Sequence, residues 1–234
     1  MNLVSIMKKR ENIAWEFNDF SKNYTNDMIG CVPHYLELVA SFGKYLPDNF
    51  NPTSILDLGC GNGNITGQLI PYFPNATFTL VDASKEMINL CRHRFNGDNF
   101  IYQNKYFKDF IFSKEVYDLI VAGFSLHHLD DKEKQSIFKD INSSLKQGGI
   151  FSYSDLMISK TNPDHSNLLK EWNKFVNVSF PDGEKWRWIM EHYEAFDKPT
   201  DYMAQIDWMK NAGFKKIEIP FHKGYWVYLQ AVKN

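Results

Sequence analysis

The sequence predicts an α/β fold: a parallel sheet covered by helices on both faces. Strand-like apolar runs alternate with amphipathic helix-like runs from residue 53 to residue 155, and that alternation implies right-handed βαβ crossovers. The first strand-like run leads straight into "LGCGNGN" (58–64), where Gly59, Gly61 and Gly63 occupy every second position. Glycine at that density weakens any helix or strand. One glycine would serve a tight turn, so the loop reads as a ligand cradle at the carboxyl end of a strand.

Residues 35–42 place Tyr35, Leu38, Val39 and Phe42 on one helical face, ended by Gly43 and Pro47. "TSILDL" (53–58) is a short buried strand, and "ATFTLVD" (76–82) a second, rich in β-formers. "SKEMINLCRHRF" (84–95) carries Met87, Ile88, Cys91 and Phe95 on one stripe, with Ser84 as its N-cap. "NFIYQN" (99–104) and "VYDLIVAG" (116–123) are the third and fourth strands. In "DDKEKQSIFKDINSSLKQGG" (130–149), Asp130 caps a helix and Glu133 completes a capping-box pair. Ile137, Phe138, Ile141 and Leu145 face inward there, and Gly148 stops the helix. "IFSYSD" (150–155) is the fifth strand. Residues 160–198 break the alternation and read as two helices around a turn at "FPDG" (180–183). One more helix spans 199–214, closed by Gly213, and the chain ends in an antiparallel hairpin around His222–Gly224.

The 234 residues suit one sizeable core. A net charge of −2 offers no basic footprint for a nucleic-acid partner. Cys31, Cys60 and Cys91 lie far apart without metal-ligand spacing, which fits reduced thiols in a cytoplasmic protein. The first residues show neither a cleavage pattern nor an apolar span, so no leader peptide and no membrane partner are expected.

The dinucleotide pattern G-x-G-x-x-G fails, because the sixth position from Gly59 is Asn64. Asp57 precedes the glycines by two residues. An acid there repels a pyrophosphate and suits an amino group. Asp82 ends the second strand, where a carboxylate accepts both hydroxyls of a ribose. The implied ligand carries a ribose and an ammonium group.

"ILDLGCGNGN" (55–64) followed by "FTLVDASKEMI" (78–88) resembles the class I S-adenosylmethionine-dependent methyltransferases. The likeness covers roughly residues 50–157, and the closing helix and hairpin also match. It implies a Rossmann-like seven-stranded sheet in the order 3-2-1-4-5-7-6 with the last strand antiparallel, and S-adenosyl-L-methionine as cofactor. Within the family the chain resembles small-molecule methyltransferases and the carboxy-S-adenosylmethionine synthase branch that serves tRNA wobble modification. Carried onto this sequence, Asp57, Gly59, Cys60 and Gly61 line the methionine end and Asp82 holds the ribose. Ala83 and Met87 flank the adenine, and Ala122 and Phe124 complete the pocket. The acid that many members carry after the third strand is missing from "YQNKYF" (102–107). Asn104 can accept that hydrogen bond through its oxygen, or Tyr106 can stack. "FSKNY" (20–24) matches a segment ahead of the family's core, so Tyr24 either closes over the cofactor or packs as a helix-face aromatic.

Methyl transfer is an in-line displacement in which proximity and alignment supply much of the rate. A base is needed only for an acceptor that carries a proton. His127 and His128 follow the fourth strand and Asp155 ends the fifth, so an imidazole oriented by a carboxylate is expected at the rim beside the cofactor. The same residues would equally serve to fix a loop and cap a segment. No metal is expected: adjacent histidines reach one ion with difficulty, and no acidic cluster is spaced to join them.

Aromatic residues make up 16 % of the chain. Trp15, Phe17, Phe20 and Tyr24 crowd the N-terminal arm. Trp172, Phe175, Phe180, Trp186, Trp188, Tyr193 and Phe196 crowd residues 160–198. The expected organisation is an N-terminal helical arm (1–50) and a methyltransferase domain (51–234) with a helical lid inserted at about 160–198. Most of these rings pack the lid, and a few line a pocket for an aromatic or cationic acceptor. The leading functional expectation is methylation of a small molecule at oxygen or nitrogen by a monomer or homodimer. The alternatives are a tRNA-modification-related enzyme, either a tRNA methyltransferase or a carboxy-S-adenosylmethionine synthase, and a non-catalytic cofactor-binding protein. A synthase of that kind needs a cation over the methyl position, for which Arg187 is the lone candidate.

Overall fold

The computed structural model of the chain describes residues 24–234. Trp15, Phe17, Phe20 and the arm up to residue 23 lie outside the described residues. Two helices come first, α1 (Tyr24–Cys31) and α2 (Tyr35–Lys44), then β1 (Ser54–Leu58), α3 (Asn64–Leu69) and β2 (Thr77–Asp82). They are followed by α4 (Lys85–Arg94), β3 (Phe100–Asn104), β4 (Tyr117–Gly123), α5 (Asp131–Ser144) and β5 (Leu145–Leu156). The segment 160–198, expected from the sequence to be a lid, holds α6 (His165–Ser179) and α7 (Glu184–Phe196). The chain closes with α8 (Tyr202–Asn211), β6 (Phe214–Lys223) and β7 (Trp226–Lys233).

The seven strands form one sheet in the order β3-β2-β1-β4-β5-β7-β6. Pairings from β3 across to β5 are parallel, and β7 runs antiparallel to both of its neighbours. Strand order reverses between β1 and β4, so a crevice opens at their carboxyl ends.

Alternation along each strand divides the core into two layers. Ile55, Leu80, Leu119, Val121 and Tyr228 face one side, where α1, α2, α4 and the lid helices cover them. Leu56, Leu58, Val81, Ile120 and Tyr153 face the other, against Ile137, Phe138 and Ile141 of α5 and Met209 of α8. The predicted caps form. Ser84 Oγ accepts from Met87 N, and Asp130 and Glu133 make a reciprocal capping box.

One predicted boundary needs correction. The helix beginning at Asp131 ends at Ser144, four residues before Gly148. Sheet pairing claims the next residue: Leu145 pairs with Tyr117, and Ile150 then pairs with Leu119. Residues 146–149 bulge out between those two pairs, and Gly148 takes φ +74° inside the bulge.

Candidate active site

The glycine loop joins β1 to α3. All three alternating glycines take positive φ, at +72°, +52° and +83°. Their reasons differ. A Cβ on Gly59 would lie 2.3 Å from Ser125 Cβ, and one on Gly63 would lie 2.4 Å from Phe95 Cε2. Gly61 has room, its nearest neighbour being the Tyr24 ring at 3.7 Å. Gly59 and Gly63 thus meet close-packed protein, whereas Gly61 meets nothing closer than 3.7 Å among the described residues.

Asp82 anchors the loop: Gly61 N donates to Oδ2 at 2.9 Å and Ser84 N to Oδ1 at 2.8 Å. Helix α1 lies against the loop through Thr25, whose Oγ1 accepts from Asn62 Nδ2 at 2.9 Å and from Asn64 Nδ2 at 3.0 Å. Asp57 is buried, with Thr66 Oγ1 donating to its Oδ2 at 2.6 Å. Its other oxygen, Oδ1, is buried without a hydrogen-bond partner. Burial, followed by the nearby charge of Asp82, raises the Asp57 pKa to about 7 against the pull of Thr66. Burial raises that of Asp82 to about 6. A buried carboxylate oxygen without a partner among the described residues, at the start of the glycine loop, fits a ligand that brings an ammonium group to that end.

The remaining cofactor-side residues divide. Asn104 Nδ2 donates to the carbonyls of Asp82 and Ala83 at 3.0 and 2.8 Å, which leaves Oδ1 as its acceptor end. Tyr106 is 37 % exposed beside it in sequence. Met87 is buried on α4. Cys60 is buried too, with its thiol held well above its ordinary pKa, chiefly by burial. Phe124, at φ +54°, stacks obliquely on Tyr35 and faces the neighbouring cavity. Ala122 is fully buried in the layer under α5 and does not line that cavity.

The cavity, of about 100 Å³, lies between the carboxyl edge of the sheet and the lid. Tyr24, Phe124, Trp172, Trp188, Tyr193 and Trp226 give it aromatic walls. His127, His192, Asp155 and Asp197 are its imidazole and carboxylate lining groups among the described residues. Asp155 orients His127 as the sequence suggests. Its Oδ1 lies 2.5 Å from His127 Nδ1, and its Oδ2 accepts from the His127 backbone N–H at 3.1 Å.

The histidine pair departs from expectation. A carboxylate more than sixty residues away, Asp197, joins them. Its Oδ1 lies 3.1 Å from His128 Nδ1, 3.5 Å from His192 Nε2 and 3.6 Å from His127 Nε2. Two backbone devices bring it there. Lys198 N donates to the His127 carbonyl at 2.7 Å. The buried Lys134 ammonium donates to the carbonyls of Leu129 and Lys198 and to Thr200 Oγ1. Nothing periodic marks Asp197 in "EAFDKP", and only the lid's return path places it.

Burial opposes a charge on His127, but Asp155 and Asp197 outweigh it and push its pKa up to about 9. For His128, burial and the neighbouring His127 charge push the pKa down to about 4. Both carboxylates thus favour the protonated form of His127, the imidazole that the sequence offers as a proton acceptor.

A methyltransferase domain profile matches residues 55–149 of the chain. A carboxy-S-adenosyl-L-methionine synthase from Campylobacter fetus is 24 % identical over 222 residues, covering 92 % of this chain and 93 % of its own. Among solved structures, a SAM-dependent methyltransferase from Thermotoga maritima is 14 % identical with a TM-score of 0.63, over 94 % of this chain and 100 % of that one. Human N-acetylserotonin methyltransferase in complex with SAM is 16 % identical with a TM-score of 0.57, over 96 % of this chain and 55 % of that one. The acid–glycine loop, the reversed last strand and these likenesses converge: residues 55–149 match a methyltransferase domain, and the chain as a whole is similar to the class I S-adenosylmethionine-dependent methyltransferases.

Proposed function

We propose that the protein transfers a methyl group from S-adenosylmethionine to an oxygen or nitrogen of a small-molecule acceptor held in the aromatic cavity. The observation that carries this reading is the cavity itself. It adjoins the glycine loop through Tyr24, it is walled by rings, and at about 100 Å³ it suits a small ring or amine rather than a polynucleotide strand. Bound S-adenosylmethionine supplies an activated methyl group. The chain supplies position. Asp57 and Asp82 hold the ammonium and ribose ends, Tyr24 and Phe124 stand between cofactor and acceptor, and the lid tryptophans exclude water.

The carboxy-S-adenosylmethionine synthase relatives motivate a second reading, with a carboxylated co-substrate. Arg187 is exposed on α7 and does not line the cavity. Among the described residues no Lys or Arg lines the cavity, whereas two carboxylates do. That charge pattern suits an amine or hydroxyl acceptor better than an anion. The test is formation of S-adenosylhomocysteine with a panel of phenols, catechols and aromatic amines beside unmodified tRNA. Turnover with small acceptors alone is expected. Turnover with tRNA alone, or cofactor binding without any turnover, would overturn the proposal.

The raised carboxylates also predict a pH dependence. Asp57 ionises at about 7 in the fold, against about 3.9 for an unperturbed carboxyl. Between those values the folded chain binds the extra proton, so stability without cofactor falls as pH rises through the window. An ammonium placed at Asp57 favours the ionised form. Binding of S-adenosylmethionine should therefore release a proton near neutral pH and tighten from about pH 5 to about pH 7, then level off. Calorimetry in two buffers of different ionisation heat reads both effects. A dissociation constant flat across that range would remove Asp57 from the ammonium site.

A further inference from the structure

We propose that His127, His128 and Asp197 form a binding site for a divalent transition-metal ion of the zinc type, at the end of the aromatic cavity. Ligand atoms of these three residues lie within 4.8 Å of one another, and all three residues are largely buried. The distances from Asp197 Oδ1 to His128 Nδ1, His192 Nε2 and His127 Nε2 are 3.1, 3.5 and 3.6 Å. In a tetrahedral zinc site, with metal–ligand bonds of about 2.0–2.1 Å, neighbouring ligand atoms stand about 3.3 Å apart. The Asp197 oxygen and the imidazole nitrogens are thus already spaced as the edges of such a shell.

Three further observations point to an ion. Asp197 Oδ1 is buried where nitrogens of three imidazoles converge, at 3.1, 3.5 and 3.6 Å. A carboxylate so enclosed is costly unless positive charge meets it, from a protonated imidazole or from a metal ion in its place. Behind His127, Asp155 occupies Nδ1 at 2.5 Å and turns Nε2 toward Asp197. A carboxylate on the far nitrogen is the usual partner of a metal-bound histidine, because it fixes the tautomer and strengthens the ligand. The ligand-bearing loops are also tied together before any ion arrives, through Lys198 N to the His127 carbonyl and through Lys134. Such preorganisation lowers the cost of gathering ligands.

The donor set selects the ion class. Two imidazoles and one carboxylate suit zinc, cobalt, nickel or iron, whereas magnesium and calcium take oxygen ligands. Three protein donors leave one position open, and His127 and Asp197 both line the cavity. His192, on the same oxygen from α7, is placed either to complete the shell or to stand beside whatever enters it. An ion with an open position would hold an acceptor heteroatom and lower its proton affinity. Only this last step rests on the small-acceptor reading; the ion site stands without it.

The experiment is cobalt(II) titration of the untagged, chelator-treated chain, followed by visible absorption and by metal analysis. One cobalt per chain is expected, with the intense d–d bands of four-coordinate geometry, and zinc should displace it. His127→Gln, His128→Gln and Asp197→Asn should each weaken binding by about 100-fold or more, and Asp155→Asn by about 10–100-fold through the ligand it orients. His93→Gln, on the exposed face of α4, should titrate like the parent chain. S-adenosylhomocysteine binding by each variant verifies its fold. A second measurement needs no variant: zinc should shift the imidazole nitrogen resonances of two or three of the seven histidines. An inactive protein that gives the cobalt spectrum would support the ion site while sinking the small-acceptor reading. The proposal is overturned if the parent chain takes up no cobalt or zinc, if the three ligand variants bind like the parent, or if zinc moves only exposed histidines.

Discussion

Gly59→Ala should abolish cofactor binding and destabilise the fold by about 3 kcal/mol or more, combining left-handed backbone strain with overpacking. The new Cβ would stand 2.3 Å from Ser125 Cβ and 2.7 Å from its Oγ. Ser125 cannot step aside cheaply, because it is buried and its Oγ donates to the Leu58 carbonyl at 2.9 Å. Moving it would also displace the 125–128 loop and with it His127. Gly61→Ala is the informative contrast. Its φ is equally left-handed, but among the described residues nothing lies closer than 3.7 Å, so the backbone term of about 1 kcal/mol acts alone. Urea unfolding of both variants, with S-adenosylhomocysteine calorimetry, separates the two. A Gly59→Ala protein as stable as Gly61→Ala would show that the Ser125 contact yields easily.

Trp172→Ala should cost about 3–5 kcal/mol, the range for deleting a large buried aromatic. Trp172 is the centre of the lid. It packs edge-on against Trp186, Tyr193 and Trp226 at 5.6, 5.8 and 5.5 Å between ring centroids. Its indole N–H donates to the Cys31 carbonyl at 2.6 Å, tying α6 to the end of α1. Removing it leaves a cavity and strips a buried carbonyl of its donor. Trp172→Phe keeps much of the packing and loses the hydrogen bond, for about 1–2 kcal/mol from the bond plus a smaller packing loss. Thermal or urea melts of the two variants check the order. Equal stabilities would mean that the hydrogen bond, and not the ring contacts, holds the lid.

The sheet and its cofactor edge were legible because local signals agree with the fold there. Ser84 and Asp130 mark helix starts by a side-chain hydrogen bond that composition alone suggests, and Asp57 with the alternating glycines encodes its loop within seven residues. The end of α5 was misread because Gly148 signals a stop and Ser144 does not. Pairing of Leu145 with Tyr117 in β4 decides it, and that contact spans many residues. Half of the cavity's polar lining was readable. His127 and Asp155 close neighbouring strands, so strand order predicts their meeting. Asp197 and His192 arrive through the packing of two lid helices, and Thr25 through a polar contact between α1 and the glycine loop. Long-range contacts of that kind leave no periodic trace in a single sequence.

The insertion between β5 and α8 has a consequence for inheritance. Trp172, Trp188, His192, Tyr193 and Asp197 all come from that one uninterrupted length of chain, whereas the residues assigned to the cofactor lie between 24 and 124. A single recombination event across the insertion would replace seven of the sixteen described residues that line the cavity and leave the residues proposed to hold the cofactor as they were. Asp197 travels with the exchanged segment, and its partners His127 and His128 stay behind. A descendant that acquired a new lid without an acid at that point would keep its cofactor and lose the carboxylate that joins the histidines.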